Sequence, residues 1–190
     1  MQENKEQAIR EMPLPYADRL DQRTPEAIDL VVIHCTELPD LETAREFGER
    51  VHYPESATGN SGHFYIDRDG STHAWVPLSR AAHHTRGFND RSIGIELVNR
   101  GRWPDWFASD SQVMTERYSD EQIDALVALI QRLCRHLPGL RWIAGHEELD
   151  REMIPASDDA RRKVFRKRDP GPLFPWNRVL EAVNLERLTS

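Results

Sequence analysis

The run LVVIHC at Leu30–Cys35 is continuously apolar up to His34 and rich in β-branched residues. Apolar residues on both faces are expected of a strand buried in the middle of a sheet. His34 interrupts the pattern near the end of the run. A histidine that closes a buried strand is more often structural than a ligand, so its role depends on what other segments bring near it. The run therefore predicts a central strand with one polar side chain at its end.

A second strand is predicted at Ser92–Val98, with the sequence SIGIELV. Alternation places its isoleucines and leucine on one face and Gly94 and Glu96 on the other. A carboxylate in so apolar a strand needs a partner or a function, because burying it alone is costly. An ion pair with an arginine is the structural alternative. A catalytic role is favoured, since such surroundings raise the pKa of a carboxyl into a useful range. Gly94 leaves room for another group to approach.

Other segments also show secondary-structure patterns. His63–Val76 predicts a hairpin with a two-residue turn at Asp69-Gly70. Ser119–Gln122 resembles a capping box, and an apolar stripe up to Leu137 predicts the helix that follows it. Helices are also predicted at residues 42–50 and from Pro175 to Leu188. The strongly charged residues 147–165 are predicted to form an exposed segment, called here the excursion.

Length and charge limit the function classes. A chain of 190 residues with no linker or repeat predicts one domain at residues 28–190, with a polar arm at residues 1–27 packed on it. A net charge of −7 argues against nucleic-acid binding. No apolar run approaches a membrane span, so no membrane insertion is expected. The N-terminus lacks the features of a secretory signal, which favours the cytoplasm; a signal removed beforehand would make the periplasm or envelope the alternative. The oligomeric state is open.

Two further segments supply candidate metal ligands. Arg141–His146 is predicted to be a short strand that ends, like the first, in histidine. Arg166–Pro172 is predicted to be a rigid, non-helical loop, in which alternation turns Lys167 and Asp169 to one face and the two arginines away from it. Two imidazoles and a carboxylate suit Zn²⁺ and leave a fourth position for water. His34, His146 and Asp169 are therefore the candidate zinc ligands, while Glu147 is not expected to bind the same ion.

At these residues the chain resembles the zinc-dependent N-acetylmuramoyl-L-alanine amidase family, whose bacterial members are related to phage amidases and animal peptidoglycan recognition proteins. The matching segments occur in the family's order and span roughly residues 28 to 180. They are VVIH at Val31–His34, SGH at Ser61–His63 with the hairpin to Gly70, SIGIELVN at Ser92–Asn99, AGHE at Ala144–Glu147 and KRDPGPLFPW at Lys167–Trp176.

The resemblance implies an α/β fold, with a central mixed β-sheet flanked by helices and zinc in a groove on one face. It also implies that His34, His146 and Asp169 are the zinc ligands, Glu96 the catalytic glutamate and Lys167 the lysine beside the last ligand. Phage and animal members usually carry tyrosine where this chain has Gly62, so any role of that tyrosine falls to Glu96.

The implied reaction is hydrolysis of the amide between N-acetylmuramic acid, or its anhydro form, and L-alanine of the stem peptide. His84, Asn99 and His63 are candidate contacts to peptidoglycan or muropeptide, and His63 could equally lie behind the ligands. His52, His73 and His136 are predicted to be surface residues. A non-catalytic peptidoglycan-binding module and a zinc peptidase acting on stem peptides are the alternatives. The sequence leaves open whether the substrate is polymeric wall or a small anhydro-muropeptide.

Overall fold

The computed structural model of the protein describes residues 8–189. Its strands are β1 Ile9–Glu11, β2 Leu30–Cys35, β3 Phe64–Ile66, β4 Thr72–Ala74, β5 Ser92–Leu97, β6 Trp142–Gly145, β7 Met153–Pro155, β8 Lys163–Phe165 and β9 Glu186–Arg187. Seven of them form one sheet in the order β1-β4-β3-β5-β2-β6-β9, and β7 pairs with β8 in a separate hairpin. β2 pairs in parallel with β5 and β6, whereas β3 and β4 are antiparallel. The predicted mixed sheet is confirmed.

The helices flank this sheet. They are α1 Leu41–Gly48, α2 Asp120–His136, α3 His146–Leu149 and α4 Trp176–Ala182, with short 3₁₀ turns at Ala17–Arg19 and Pro25–Ala27. α2 begins as its sequence predicts, because the Ser119 side chain accepts a hydrogen bond from the Gln122 backbone N–H. The Gln122 side chain does not close a capping box: its buried amide donates to the carbonyls of Ile66 and Val98, which joins α2 to the sheet.

The two faces of the central strands carry different side chains. Val31, Ile33 and Ile95 belong to the main core with Leu126 and Ile130 of α2, and each such buried side chain contributes roughly 1.5–3 kcal/mol. The opposite face of β2 carries Leu30, Val32 and then His34. The β2–β5 register pairs His34 with Glu96, so the two polar side chains lie next to each other on this second face.

Two predicted element boundaries need correction. The hairpin turn is centred on Arg68-Asp69, because Gly70 N donates to Asp67 O. Gly70 follows this turn with a φ of +82°. The strands are therefore joined by a five-residue loop and not by the predicted two-residue turn. The last helix ends at Ala182, and the chain then pairs as β9 with β6. The excursion predicted at residues 147–165 is largely exposed, and it contains the rest of α3 after His146 and the β7–β8 hairpin.

The described part of the predicted arm takes part in the fold. β1 pairs in parallel with β4 at one edge of the sheet. Leu14, Tyr16 and Leu20 are buried in a second core cluster with Trp75. Residues 1–7 lie outside the described residues, and the division of the chain after residue 27 stays a prediction. Within residues 8–189, no helix combines the length and the apolarity needed to cross a membrane.

Candidate metal centre and active site

Three buried side chains meet at one end of the sheet. His34 is the penultimate residue of β2, and His146 follows β6 directly as the first residue of α3. Because β2 and β6 are adjacent and parallel, their carboxyl ends meet at the same edge. Asp169, in the loop after β8, completes the group: its Oδ2 lies 2.8 Å from His34 Nδ1 and 3.1 Å from His146 Nδ1. The predicted ligands are thus brought together.

The group fits a metal ion. One ligand atom from each residue lies within 4.8 Å of the others, and all three residues are buried. Two buried atoms, Asp169 Oδ1 and His146 Nε2, have no hydrogen-bond partner in the described structure. Burial lowers the pKa of His146. It opposes ionisation of Asp169, yet the two imidazoles hold the pKa of that carboxyl well below its usual range. The lowered pKa values of His146 and Asp169 favour a neutral imidazole beside an ionised carboxylate, which suits metal binding.

A chain of hydrogen bonds orients His34. Ser92 Oγ donates to the Phe88 carbonyl, and the same oxygen lies 3.2 Å from His84 Nε2. His84 Nδ1 in turn lies 3.0 Å from His34 Nε2. If each imidazole donates from Nε2, these three contacts are satisfied, and the lone pair of His34 Nδ1 remains for a metal. Such outer partners fix the tautomer and ring orientation of a ligating histidine. His84 therefore supports a candidate ligand, besides lining the cavity where substrate contact is predicted.

Gly94 is what lets His84 approach. A Cβ at this position would lie 2.6 Å from His84 Cγ, closer than side chains pack. The room that the sequence predicted beside Glu96 is filled by this imidazole.

We expect Gly94→Ala to weaken zinc binding by about 10- to 100-fold, because the displaced His84 no longer orients His34. The same overpacking is expected to lower the free energy of unfolding by about 1–3 kcal/mol. Zinc titration and urea unfolding measure the two effects. Gly139→Ala is the matched control, since a Cβ there meets only the Ile28 carbonyl, at 3.3 Å. Unchanged zinc affinity in Gly94→Ala would contradict the role of His84.

Glu96 is poised beside the candidate metal site. Its Oε1 lies 3.8 Å from His34 Nδ1, so its nearest ion-pair partner is a histidine and not the arginine of the structural alternative. Burial raises the pKa of Glu96, while His34 and Lys167 oppose that shift. Gly62 packs closely on it, because a Cβ at Gly62 would lie 2.9 Å from Glu96 Cγ. The chain thus has no room for the family's tyrosine at this position as long as Glu96 stays where it is.

A cavity of about 500 Å³ opens over this group. Lys167, Asp169 and Glu96 all line this cavity. For Lys167 and Asp169 this agrees with the alternation of side chains predicted from the sequence. The prediction that Arg166 turns away is wrong: Arg166 also lines the cavity and forms ion pairs with Asp150 and Glu152 of the excursion. The excursion therefore holds a residue of the cavity wall in place through these two ion pairs.

The structure does not bring Asn99 and His63 to the cavity. Asn99 is buried, its amide nitrogen donating to Glu116 O and its amide oxygen accepting from Gly101 N. His63 is fully buried behind His84, at 5.6 Å between ring centroids, and its Nδ1 accepts from Gly94 N. His63 thus takes the second of its two predicted roles.

Of the three histidines predicted at the surface, His52 and His136 are exposed and His73 is not. His73 is buried on β4, where the pairing register places it between Arg10 of β1 and Tyr65 of β3. The period-2 pattern of the hairpin does not reveal this, because one of these neighbours comes from residues 9–11.

The buried state of His63 makes stability depend on pH. Burial and the charge of Arg23 lower the pKa of His63 to about 3. The unfolded chain takes up this proton near pH 6.5, so it binds more protons than the folded state between about pH 6.5 and 3. The free energy of unfolding is therefore expected to fall as the pH drops through this window.

Urea unfolding at several pH values measures this dependence. His63→Gln is expected to flatten it, whereas His136→Gln, on the exposed side of α2, is expected to keep the wild-type slope. An identical slope in wild type and His63→Gln would contradict the prediction.

Three further residues that line the cavity were not identified from the sequence. Thr85 is buried and its Oγ1 lies 3.4 Å from His34 Nε2; its place next to His84 was an available signal. Glu37 and Arg102 form a buried ion pair in the cavity wall. No local pattern links these two residues, which lie 65 positions apart.

Fold and site together define a mixed α/β domain with a candidate metal centre at the carboxyl ends of its central strands. Comparison with known proteins agrees with this. The chain belongs to the N-acetylmuramoyl-L-alanine amidase family, which it matches over residues 23–172.

The chain is also similar to individual family members. It is 29% identical to a 1,6-anhydro-N-acetylmuramyl-L-alanine amidase, AmpD, of Enterobacter cloacae, covering 89% of this chain and 87% of the relative. It is 35% identical to the N-acetylmuramoyl-L-alanine amidase AmiD of Escherichia coli over 57% of this chain and 33% of that protein. A crystal structure of AmpD superposes with a TM-score of 0.63 at 27% identity, covering 92% of this chain and 94% of that one.

Proposed function

We propose that this chain is a zinc-dependent amidase that hydrolyses the bond between N-acetylmuramic acid, or its anhydro form, and L-alanine of a peptidoglycan stem peptide. The observation that carries the proposal is the meeting of His34, His146 and Asp169 beside a buried Glu96 at the floor of one cavity. A complete ligand set with an adjacent carboxyl is what amide hydrolysis needs, whereas a recognition module needs neither.

Each of these residues has a separate role in the proposed reaction. His34, His146 and Asp169 hold the zinc, which when bound supplies a water of lowered pKa and polarises the scissile carbonyl. Glu96 Oε1 accepts a proton from the attacking water and later delivers a proton to the departing alanine nitrogen. The Lys167 ammonium stabilises the negative charge that develops on the carbonyl oxygen. His84 and Ser92 keep the Nε2 proton of His34 in place.

The substrate proposal favours a small anhydro-muropeptide. Relatives that match almost the full chain carry 1,6-anhydro-N-acetylmuramyl-L-alanine in their names. This choice fits a cytoplasmic place of action, which is part of the proposal.

Product analysis tests the function. Purified anhydro-muropeptides and intact sacculi are digested in parallel with wild type and with zinc-stripped protein, and the products are identified by mass. Release of an intact peptide that begins with L-alanine, lost on chelation and restored by zinc, supports the amidase. Cleavage within the stem peptide would indicate a zinc peptidase, and wall binding without any cleavage a recognition module. Activity on sacculi alone would contradict the proposed small substrate.

A further inference from the structure

The Glu37–Arg102 pair joins two of the segments that carry the candidate active-site residues, the end of β2 and the loop after β8. Glu37 lies two positions beyond the end of β2, which carries His34. Arg102 Nε donates to Glu37 Oε1 at 2.7 Å, and Nη2 donates to Glu37 Oε2 at 2.8 Å. The Arg102 side chain is almost completely buried, with 1% of its surface exposed. A bidentate pair of this kind fixes direction as well as distance.

The other side of the same guanidinium holds the backbone next to Lys167. Arg102 Nη1 donates to the Phe165 carbonyl at 2.9 Å, and Nη2 approaches the Arg166 carbonyl at 3.3 Å. The Arg166 carbonyl belongs to the peptide unit that leads directly into Lys167. One side chain therefore connects the end of β2 to the start of the segment that carries Lys167 and Asp169.

The surrounding residues are arranged to hold this pair. Glu37 has a φ of +50°, and its carbonyl accepts from Trp106 Nε1 at 2.8 Å. A Cβ at Gly101 would lie 2.6 Å from Glu37 Cγ, so only glycine allows this approach. Arg102 Nη1 also donates to Gln112 Oε1 at 3.2 Å.

We infer that Arg102 is a positioning residue of the reaction, which acts through Lys167 by holding the Phe165–Lys167 backbone against Glu37. The inference rests on the proposed function, in which Lys167 stabilises charge on the substrate. Misplacing a catalytic group by about 1 Å can lower a rate on the order of 10²-fold. Loss of Arg102 is thus expected to lower kcat by about 10- to 100-fold, with KM changed by less than about threefold.

The test is a double-mutant cycle of Arg102→Met and Lys167→Ala, measured as kcat and KM on the muropeptide. If Arg102 acts through Lys167, its loss costs less than about twofold when Lys167 is already absent, because coupled residues are not additive. Equal losses from Arg102→Met in the two backgrounds would overturn the inference and leave the proposed function standing. An inactive wild type would overturn both.

A second variant and a second readout cover the case in which Arg102→Met fails to fold. Arg102→Lys keeps the charge but cannot serve Glu37 and both carbonyls at once, so a kcat loss is expected in folded protein. Hydrogen exchange of the amides at residues 165–168 in zinc-free protein should accelerate in this variant, while the amides of β2 stay protected. Wild-type kcat and unchanged exchange in Arg102→Lys would overturn the inference.

Discussion

Replacing Glu96 by glutamine is expected to lower kcat on the muropeptide by about 10³-fold, within the range that general acid–base catalysis contributes. The amide keeps the shape of the side chain but can neither accept the proton of the attacking water nor return it to the alanine nitrogen. Zinc content and KM are expected to stay near the wild-type values, because Glu96 lies outside the three-residue ligand group. Kinetics on purified anhydro-muropeptide, with zinc measured in the same sample, tests this.

Stability separates a catalytic defect from misfolding. Because the folded state raises the pKa of Glu96, its ionised form costs stability at neutral pH, and the neutral amide removes that cost. Glu96→Gln should therefore unfold at the wild-type temperature or higher.

Glu147→Gln is the matched control for the Glu96 variant. Burial and the nearby Asp169 raise the pKa of Glu147 to about 7, yet Glu147 does not line the cavity. We expect this variant to keep activity within a few-fold of wild type. Equal losses from the two substitutions, or a Glu96→Gln enzyme with substantial activity, would contradict the assignment of Glu96.

Removal of Asp169 is expected to abolish zinc binding together with activity. Asp169 Oδ2 faces Nδ1 of both His34 and His146, so it is the one anionic ligand and the point at which the three residues meet. Loss of an outer partner typically weakens metal binding 10- to 100-fold, and loss of the anionic ligand itself is expected to exceed about 100-fold. Asp169→Ala therefore leaves the zinc site largely unfilled at micromolar metal.

Thermal unfolding with and without zinc measures this loss independently of activity. At a zinc concentration of about 100 times the dissociation constant, the wild type should gain about 2.7 kcal/mol of stability, whereas Asp169→Ala should gain little. Asp159→Ala, which removes a carboxylate paired with the exposed Arg161, is the control that should respond as wild type does. A zinc-induced rise in the Asp169→Ala melting temperature equal to that of wild type would contradict the proposed ligand set.

Local patterns in the sequence predicted much of the site. The apolar run at Leu30–Cys35 and the alternation at Ser92–Val98 place His34 and Glu96 on strands, and the residue types point to zinc. A second strand ending in histidine and a rigid loop supply His146 and Asp169, and the resemblance to the amidases implies the same ligand set. Helix α2 follows from its stripe and its Ser119 cap, because both signals lie within a few residues of the element that they define.

Other features of the site could not be predicted from local patterns. His84 contacts the candidate ligand His34, which lies 50 positions away in the chain. The side-chain amide of Asn99 forms hydrogen bonds with the backbone of Glu116 and Gly101 and does not reach the cavity. Arg166 lines the cavity because the excursion folds back and presents Asp150 and Glu152 to it. For His84 and Arg166 the partner of the polar side chain comes from another segment of the chain, and for Asn99 it comes from the loop that follows β5.

The sequence by itself determined which strands are buried, which side chains face away from the main core, and which ligand types are available to a metal. Only the tertiary structure decided which polar groups support those ligands, as with His84 behind His34 and the Glu37–Arg102 pair beside Lys167. The physical reason is that strand and helix patterns depend on neighbouring residues, whereas a buried polar group must be satisfied by whatever partner the fold brings to it.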